Sequence, residues 1–293
     1  MKLYFNKSLF RNPASELVLL APFMDQFSSD VRLKEALTED SHELTSIEEC
    51  DYVVMPYKWS TNDPNNTRII NEAKDHGKKV LAFFIDDSDE DIEVDNTYIF
   101  RTSFYKSTQK EYERAMPCFK EDTFVGNYIE DPELRIGFCG QIGTPIRNQV
   151  IGLLPKSDIK CDFLIRKVAW PAIEPGKTLE QVQKEFYNNM NDNIFNLCLR
   201  GGGNFSYRLY ETLMMGRIPV VVDTDLVLPY DSIINWDDYC VIIRDGDSIS
   251  ERVKEFYNNR DLNKTQRDNR KFWEEYLSPK GFVKNLEQMI KIN

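Results

Sequence analysis

The sequence predicts an α/β protein made of two doubly wound parallel sheets. Three observations lead there. Apolar runs of strand length alternate with amphipathic stretches of helix length, the pattern that puts helices on both faces of a parallel sheet. The alternation breaks near residue 130 and begins again. The chain has 293 residues, about twice a typical domain, which suits two units of roughly 130 to 150 residues.

The elements follow in order. Leu17 to Phe23 is a continuous apolar run, and Val31 to Leu37 is amphipathic. Tyr52 to Met55 reads as a strand, Asn66 to His76 as a helix ended by Gly77, Val80 to Ile85 as a strand, and Tyr98 to Arg101 as a further short strand. Met116 to Asn127 reads as connection. In the second half Leu134 to Cys139 and Cys161 to Ile165 are strands. Pro145 to Leu154, with proline in its first turn, and Leu179 to Asn189 are helices. A strand at Cys240 to Ile243 and helices near Ser248 to Asn258, Lys264 to Tyr276 and Val283 to Ile292 complete the chain. The expected domains are 1–130, 131–270, and a helical tail, 271–293, packing back on the first. In such sheets ligands bind beyond the carboxyl ends of the strands, and with two halves a cleft between them is the expected pocket.

Between residues 194 and 222 lies the richest segment: Ile194 to Leu199, then Arg200-Gly201-Gly202-Gly203-Asn204-Phe205-Ser206, then Tyr207 to Met215, then Gly216 to Val222. This is strand, glycine loop, helix, strand. Consecutive glycines allow positive φ and close approach of backbone N–H groups to a ligand. The helix that follows offers free N–H groups and a partial positive charge at the same place, a ready seat for phosphate. Arg200 and Arg208 flank it, and Glu211 lies where a carboxylate can accept from ribose hydroxyls. Ile136 to Gly143, containing Gly137, Gly140 and Gly143 and followed by Arg147, is a second strand-to-glycine turn. Its two readings are a second face of the diphosphate site and plain packing glycines.

Composition excludes several classes. A formal charge of −11 opposes nonspecific binding to nucleic acid or an anionic membrane. Arginines concentrated near one loop therefore stand out. Six cysteines, widely spaced with no CxxC pair, read as reduced core residues. No transmembrane run or signal peptide is read, so no membrane span and a cytoplasmic location are expected. A glycosylation sequon at Asn204-Phe205-Ser206 falls inside the phosphate loop, where a glycan would block it. The two histidines, His42 and His76, read as surface residues, against zinc chemistry or a Ser/His/Asp triad.

Acidic residues follow several strands. Asp223-Thr224-Asp225 is a D-x-D pair, suited to sugar hydroxyls and, on an alternative reading, to a divalent cation bound to nucleotide phosphates. Asp86 and Asp87, after Phe83-Phe84-Ile85, and Asp25, after the first apolar run, are candidates for a general base.

These residues carry a resemblance. The run from Phe195 through Arg200, Gly201, Gly203, Ser206, Arg208, Glu211, Gly216, Pro219, Asp225, Leu228-Pro229 and Ile234-Asn235-Trp236 resembles the carboxyl-terminal half of the exostosin-like glycosyltransferases. Phe100-Arg101-Thr102-Ser103, Pro117, and Gly137 to Gly140 with Arg147 resemble weaker landmarks; before residue 80 the likeness is slight. The resemblance implies a GT-B arrangement of two Rossmann-like domains and an inverting transfer. The donor is a nucleotide sugar, most simply a UDP-sugar such as UDP-xylose, UDP-galactose, UDP-glucuronate or UDP-arabinose, and the acceptor a glycan hydroxyl. It places Arg208 and Ser206 on the diphosphate, Glu211 on the ribose, and Arg147 on the phosphates. The donor-site set thus comprises Arg147, Arg200, Gly201, Gly202, Gly203, Asn204, Ser206, Arg208, Glu211, Gly140 and Asp225, with no metal or other cofactor required. Animal members carry an amino-terminal membrane helix, so a free-standing form from a microbe, alga or large virus is expected. The rival readings are a metal-dependent D-x-D transferase and a noncatalytic nucleotide-sugar-binding protein. A nicotinamide oxidoreductase is disfavoured because no GxGxxG follows the first strand.

Overall fold

The computed structural model describes residues 1–9, 43–168 and 172–291. The apolar run Leu17 to Phe23, the stretch Val31 to Leu37 and the base candidate Asp25 lie outside the described residues. The chain divides into two compact units. Unit 1 comprises Met1–Glu121, Asp225–Ser232 and Glu275–Asn293, and unit 2 comprises Asp122–Thr224 and Ile233–Glu274.

Unit 1 contains a parallel sheet of Lys2–Tyr4 (β1), Glu43–Leu44 (β2), Tyr52–Val54 (β3), Lys79–Phe84 (β4), Thr97–Arg101 (β5) and Glu113–Ala115 (β6), in the order β2-β1-β3-β4-β5-β6. From Val80 onward β4 is buried throughout, which explains its unbroken apolar run: a strand covered on both faces has no polar side to show. The helix Pro64–Asp75 (α1) links β3 to β4. Asp63 caps it by accepting from the Asn65 N–H, and Gly77, at φ 65°, ends it. The strands β1, β2 and β6 were not expected from the sequence. They span two or three residues each, and β6 carries two charges. Glu113 is nevertheless buried there, because the Arg101 guanidinium of β5 meets it at 2.5 Å and also donates to the Glu90 carbonyl at 2.8 Å.

Unit 2 follows the expected alternation closely. Its elements are Arg135–Gln141 (β7), Pro145–Leu153 (α2), Lys160–Arg166 (β8), Leu179–Asp192 (α3), Phe195–Cys198 (β9), Tyr207–Met214 (α4), Ile218–Val222 (β10), Val241–Ile243 (β11), Ile249–Asn259 (α5) and Leu262–Phe272 (α6). The strands are parallel in the order β11-β10-β9-β7-β8. Ile136, Phe138, Phe195, Leu197, Ile218 and Val220 form the centre of its core. Since β8 lies to one side of β7 and β9 to the other, the strand order reverses between β7 and β9. A crevice opens at such a switch point beyond the carboxyl ends of the strands, where ligands of open α/β sheets bind.

After α6 the backbone widens into a π-helical turn over Trp273–Leu277, then forms Pro279–Lys291 (α7), which belongs to unit 1. There Phe282 packs edge-on against Phe100 at 5.9 Å and Phe119 at 5.4 Å, and Arg114 donates to the Met289 carbonyl at 2.7 Å. Boundaries at 130 and 270 were expected; the compact units change at 121/122 and 274/275, and the segment Asp225–Ser232 goes to unit 1. The two α/β units with parallel sheets are the parts of the expected GT-B class. Among the described residues no helix is long and apolar enough to cross a membrane.

Candidate functional site

The carboxyl ends of β7 and β9 hold two arginines. Arg147, in the first turn of α2, donates to the carbonyls of Gln141 (3.0 Å), Leu199 (3.1 Å) and Arg200 (2.9 Å). Arg208, in the first turn of α4, donates to the carbonyls of Cys139 and Leu197. Its guanidinium lies 4.4 Å from the Phe138 ring and 5.4 Å from the Phe186 ring. Both cations are half-buried, and among the described residues neither forms an ion pair with a carboxylate.

That combination is unfavourable without a ligand. Burial, followed by the neighbouring Arg208 charge, pushes Arg147 down to about 10. Burial likewise lowers Arg208, with Cys198, Glu211 and Cys139 pulling the other way. Two partly desolvated like charges, held by neutral carbonyls, leave a local excess of positive potential that an anion relieves.

The α4 N-terminus adds to it. Ser206 has the extended N-cap conformation, yet its hydroxyl caps no amide. By contrast Asp63, Thr144, Thr178, Ser248 and Asp261 all cap their helices through side chains. The Leu209 amide donates to the Ser206 backbone carbonyl at 3.1 Å, and the positive end of the α4 dipole is left without a side-chain cap.

The glycines do less with φ than expected and more with space. Neither Gly140 nor Gly201 takes a left-handed φ. A Cβ on Gly140 would stand 3.1 Å from an Arg208 Nη atom, so glycine leaves room for the guanidinium. One on Gly201 would reach 3.5 Å from Arg147, an ordinary contact. Gly137 is a packing glycine, because the Asn193 carboxamide fills the place of its Cβ at 2.7 Å.

Other expected residues fall as follows. Glu211 is buried in α4, where its charge acts on Arg208 and, after burial, adds to the raising of Tyr187. Asn204 is buried, and its Oδ1 accepts from Arg200 (3.0 Å) and from Thr224 (2.6 Å), which helps to shape the loop Gly201–Gly203. Arg200 also closes that loop by donating to the Gly202 carbonyl at 3.2 Å. The Asp225 carboxylate, expected on sugar hydroxyls, accepts from the Ser107 N–H and hydroxyl within unit 1, at a φ of 62°. Among the described residues no group of three or more His, Cys, Asp or Glu is placed to hold a metal.

In unit 1 the two candidate bases separate. Burial raises Asp86, but the Lys58 ammonium at 2.9 Å and the Ser88 N–H at 3.0 Å outweigh it and hold the carboxyl below its usual range. Burial and then the Asp86 charge push Asp87 up. A carboxylate with raised proton affinity suits a base better than one tied to a lysine.

Sequence reading missed Phe138, Phe186 and Tyr187, which line the same region from β7 and α3. In the sequence they look like core residues of an apolar strand and an amphipathic helix.

Comparison with known proteins centres on this unit. Residues 140–256 match a family model described as the Exostosin GT47 domain. A probable glucuronosyltransferase of Oryza sativa subsp. japonica is 39% identical over 62 residues, 21% of this chain and 15% of that protein. A probable beta-1,4-xylosyltransferase of Arabidopsis thaliana is likewise 39% identical over 62 residues, 21% and 15% of the two chains. The matched stretch thus spans 15% of the length of these relatives. Among solved structures, WaaG, a glycosyltransferase involved in lipopolysaccharide biosynthesis, superposes with a TM-score of 0.39 at 11% identity, covering 100% of both chains. MurG of Acinetobacter baumannii gives 0.39 at 8% identity over 99% of both. At those scores the architecture rests on the two sheets themselves.

Proposed function

We propose, from the match of residues 140–256 to the Exostosin GT47 domain, that the protein transfers a sugar from a nucleotide-sugar donor to a hydroxyl of a glycan acceptor, with inversion at the anomeric carbon. The observation that carries this is the pair Arg147 and Arg208. Two half-buried guanidiniums, satisfied by carbonyls alone, sit at the β7/β9 switch point beside the α4 N-terminus, where the Ser206 side chain makes no cap.

The step is a single displacement. The acceptor oxygen forms the new bond to the anomeric carbon as a general base takes its proton, and of the described candidates Asp87 has the raised proton affinity that suits that role. The bond from that carbon to the distal phosphate oxygen breaks, and the nucleoside diphosphate leaves with the electron pair. Negative charge grows on the leaving group, and the arginines and the positive end of the α4 dipole stabilise it in place, already oriented. Glu211 accepts from the ribose hydroxyls. No metal is required on this reading. The relatives named as glucuronosyl- and xylosyltransferases make UDP-glucuronate and UDP-xylose the first donors to test.

The test is nucleoside diphosphate release from a panel of UDP-sugars with a glycan acceptor, run with and without EDTA. Arg208→Ala and Arg147→Ala should each lower turnover by about 10²- to 10³-fold with the fold intact, as loss of one preorganised donor does elsewhere. Near-normal turnover in Arg208→Ala rejects the assignment. Complete loss in EDTA favours the D-x-D reading, and tight binding of UDP-sugar with no release favours a noncatalytic binder.

A further inference from the structure

Building on the assignment of Arg208 to the diphosphate, we infer that Phe186 is a positioning residue that holds the Arg208 guanidinium for the ligand. The Cys139 and Leu197 carbonyls take hydrogen bonds from two of its nitrogens. A guanidinium has five N–H donors, so the rest stay available, but two bonds leave the plane free to rock. The rings of Phe138 and Phe186, at 4.4 and 5.4 Å, restrain it.

The two rings differ in what else they do. Phe138 is fully buried in β7, packs against Phe163 at 6.2 Å and belongs to the unit 2 core. It would be there without Arg208. Phe186 is half-buried and takes no part in the cluster formed by Ile136, Phe138, Phe195 and Leu197; its ring meets Tyr187 at 5.3 Å and Arg208. The plain reading is that Phe186 continues the sheet-facing stripe of α3 between Val182 and Asn189. Any apolar side chain of similar volume satisfies that reading. The inferred role needs a π face.

An aromatic ring is also the partner the chemistry calls for. A carboxylate beside Arg208 would steady it but neutralise it, and would compete with the phosphate. A ring face offsets part of the desolvation cost electrostatically and leaves the charge unspent.

The test uses UDP as the probe, by calorimetry on the full chain. Phe186→Met and Phe186→Leu keep apolar bulk without a ring and are made as a pair, so that one folded variant suffices. Either should weaken UDP binding about tenfold, whereas Phe186→Tyr, which keeps the face, should bind within about twofold of the parent. In an Arg208→Ala background, Phe186→Met should cause no further loss, the non-additivity expected of groups that act on one another. Parent-like binding by both ringless variants, a Tyr variant as weak as the Met variant, or an undiminished Met effect without Arg208 each overturns the inference. If Arg208→Ala weakens UDP binding and the ringless variants do not, this inference fails and the diphosphate assignment stands. If Arg208→Ala itself binds normally, both fall.

Discussion

Gly140→Ala is a test that adds one methyl group and removes nothing. The new Cβ would lie 3.1 Å from an Arg208 Nη atom and 3.4 Å from Phe138 Cζ. Carbon contacts are comfortable at about 3.5 to 4.0 Å, so the guanidinium must yield by roughly half an ångström. The backbone at 140 has no left-handed φ, so alanine itself is tolerated. What moves is the end of a side chain, and stability should change by no more than about 0.5 kcal/mol. The Nη atom that must yield is the one that donates to the Cys139 carbonyl, a bond that orients Arg208. Misplacing a reacting group by about 1 Å costs on the order of a hundredfold, so half of that should cost on the order of tenfold in kcat. The assay is UDP release against a melting curve. Gly152→Ala is the control, because that glycine lies in α2 with nothing within 4 Å of its would-be Cβ. It should stabilise by about 0.5 to 1 kcal/mol and leave turnover unchanged. A Gly140→Ala enzyme as fast as the parent would refute the view that Arg208's present position matters for transfer.

Other expectations follow from the same geometry. Asp87→Asn should cost at least about a hundredfold in turnover, more than Asp86→Asn. Because burial and Asp86 raise the Asp87 carboxyl, its charge opposes folding as pH rises through that raised value, so Asp87→Asn should not lower the melting temperature at neutral pH. The parent's turnover should fall on acidification earlier than an ordinary aspartate would dictate, read from a kcat/KM profile. Glu113→Gln leaves the Arg101 guanidinium buried without its carboxylate and should cost about 3 kcal/mol, seen in urea unfolding; replacing both by apolar residues should cost less. Gly216→Ala meets the Gln266 carbonyl at 2.8 Å and a φ of 63°, so a loss of about 3 kcal/mol is expected in the same measurement.

Much of unit 2 was legible because most of its strands, β7 and β9 to β11, are largely buried and its helices are amphipathic, so periodicity and punctuation agree. The run over Phe195–Cys198, the helix Tyr207–Met214 and Arg208 were all readable from spacing. Strands stabilised by pairing and not by apolar content were not. Glu113-Arg114-Ala115 looks like a surface turn until Arg101 is seen across the ladder. Loop chemistry also hid its partners: the hydrogen bonds of Asn204 with Thr224 and of Asp225 with Ser107 join residues 20 and 118 positions apart, which spacing does not reveal. Spacing says which side chains share a neighbourhood. It does not say which of their hydrogen-bond sites have already been taken.

The interleaved course of the chain bears on how it is made. Unit 1 draws on Met1–Glu121 and, about 150 residues later, on Glu275–Asn293. At a ribosome's pace of roughly 5 to 20 residues per second, on the order of ten seconds separates the two. Throughout that interval Phe100 and Phe119 await Phe282, the ring that will cover them. During synthesis this is the half of the protein for which a chaperone would have the greatest use, even though it emerges first.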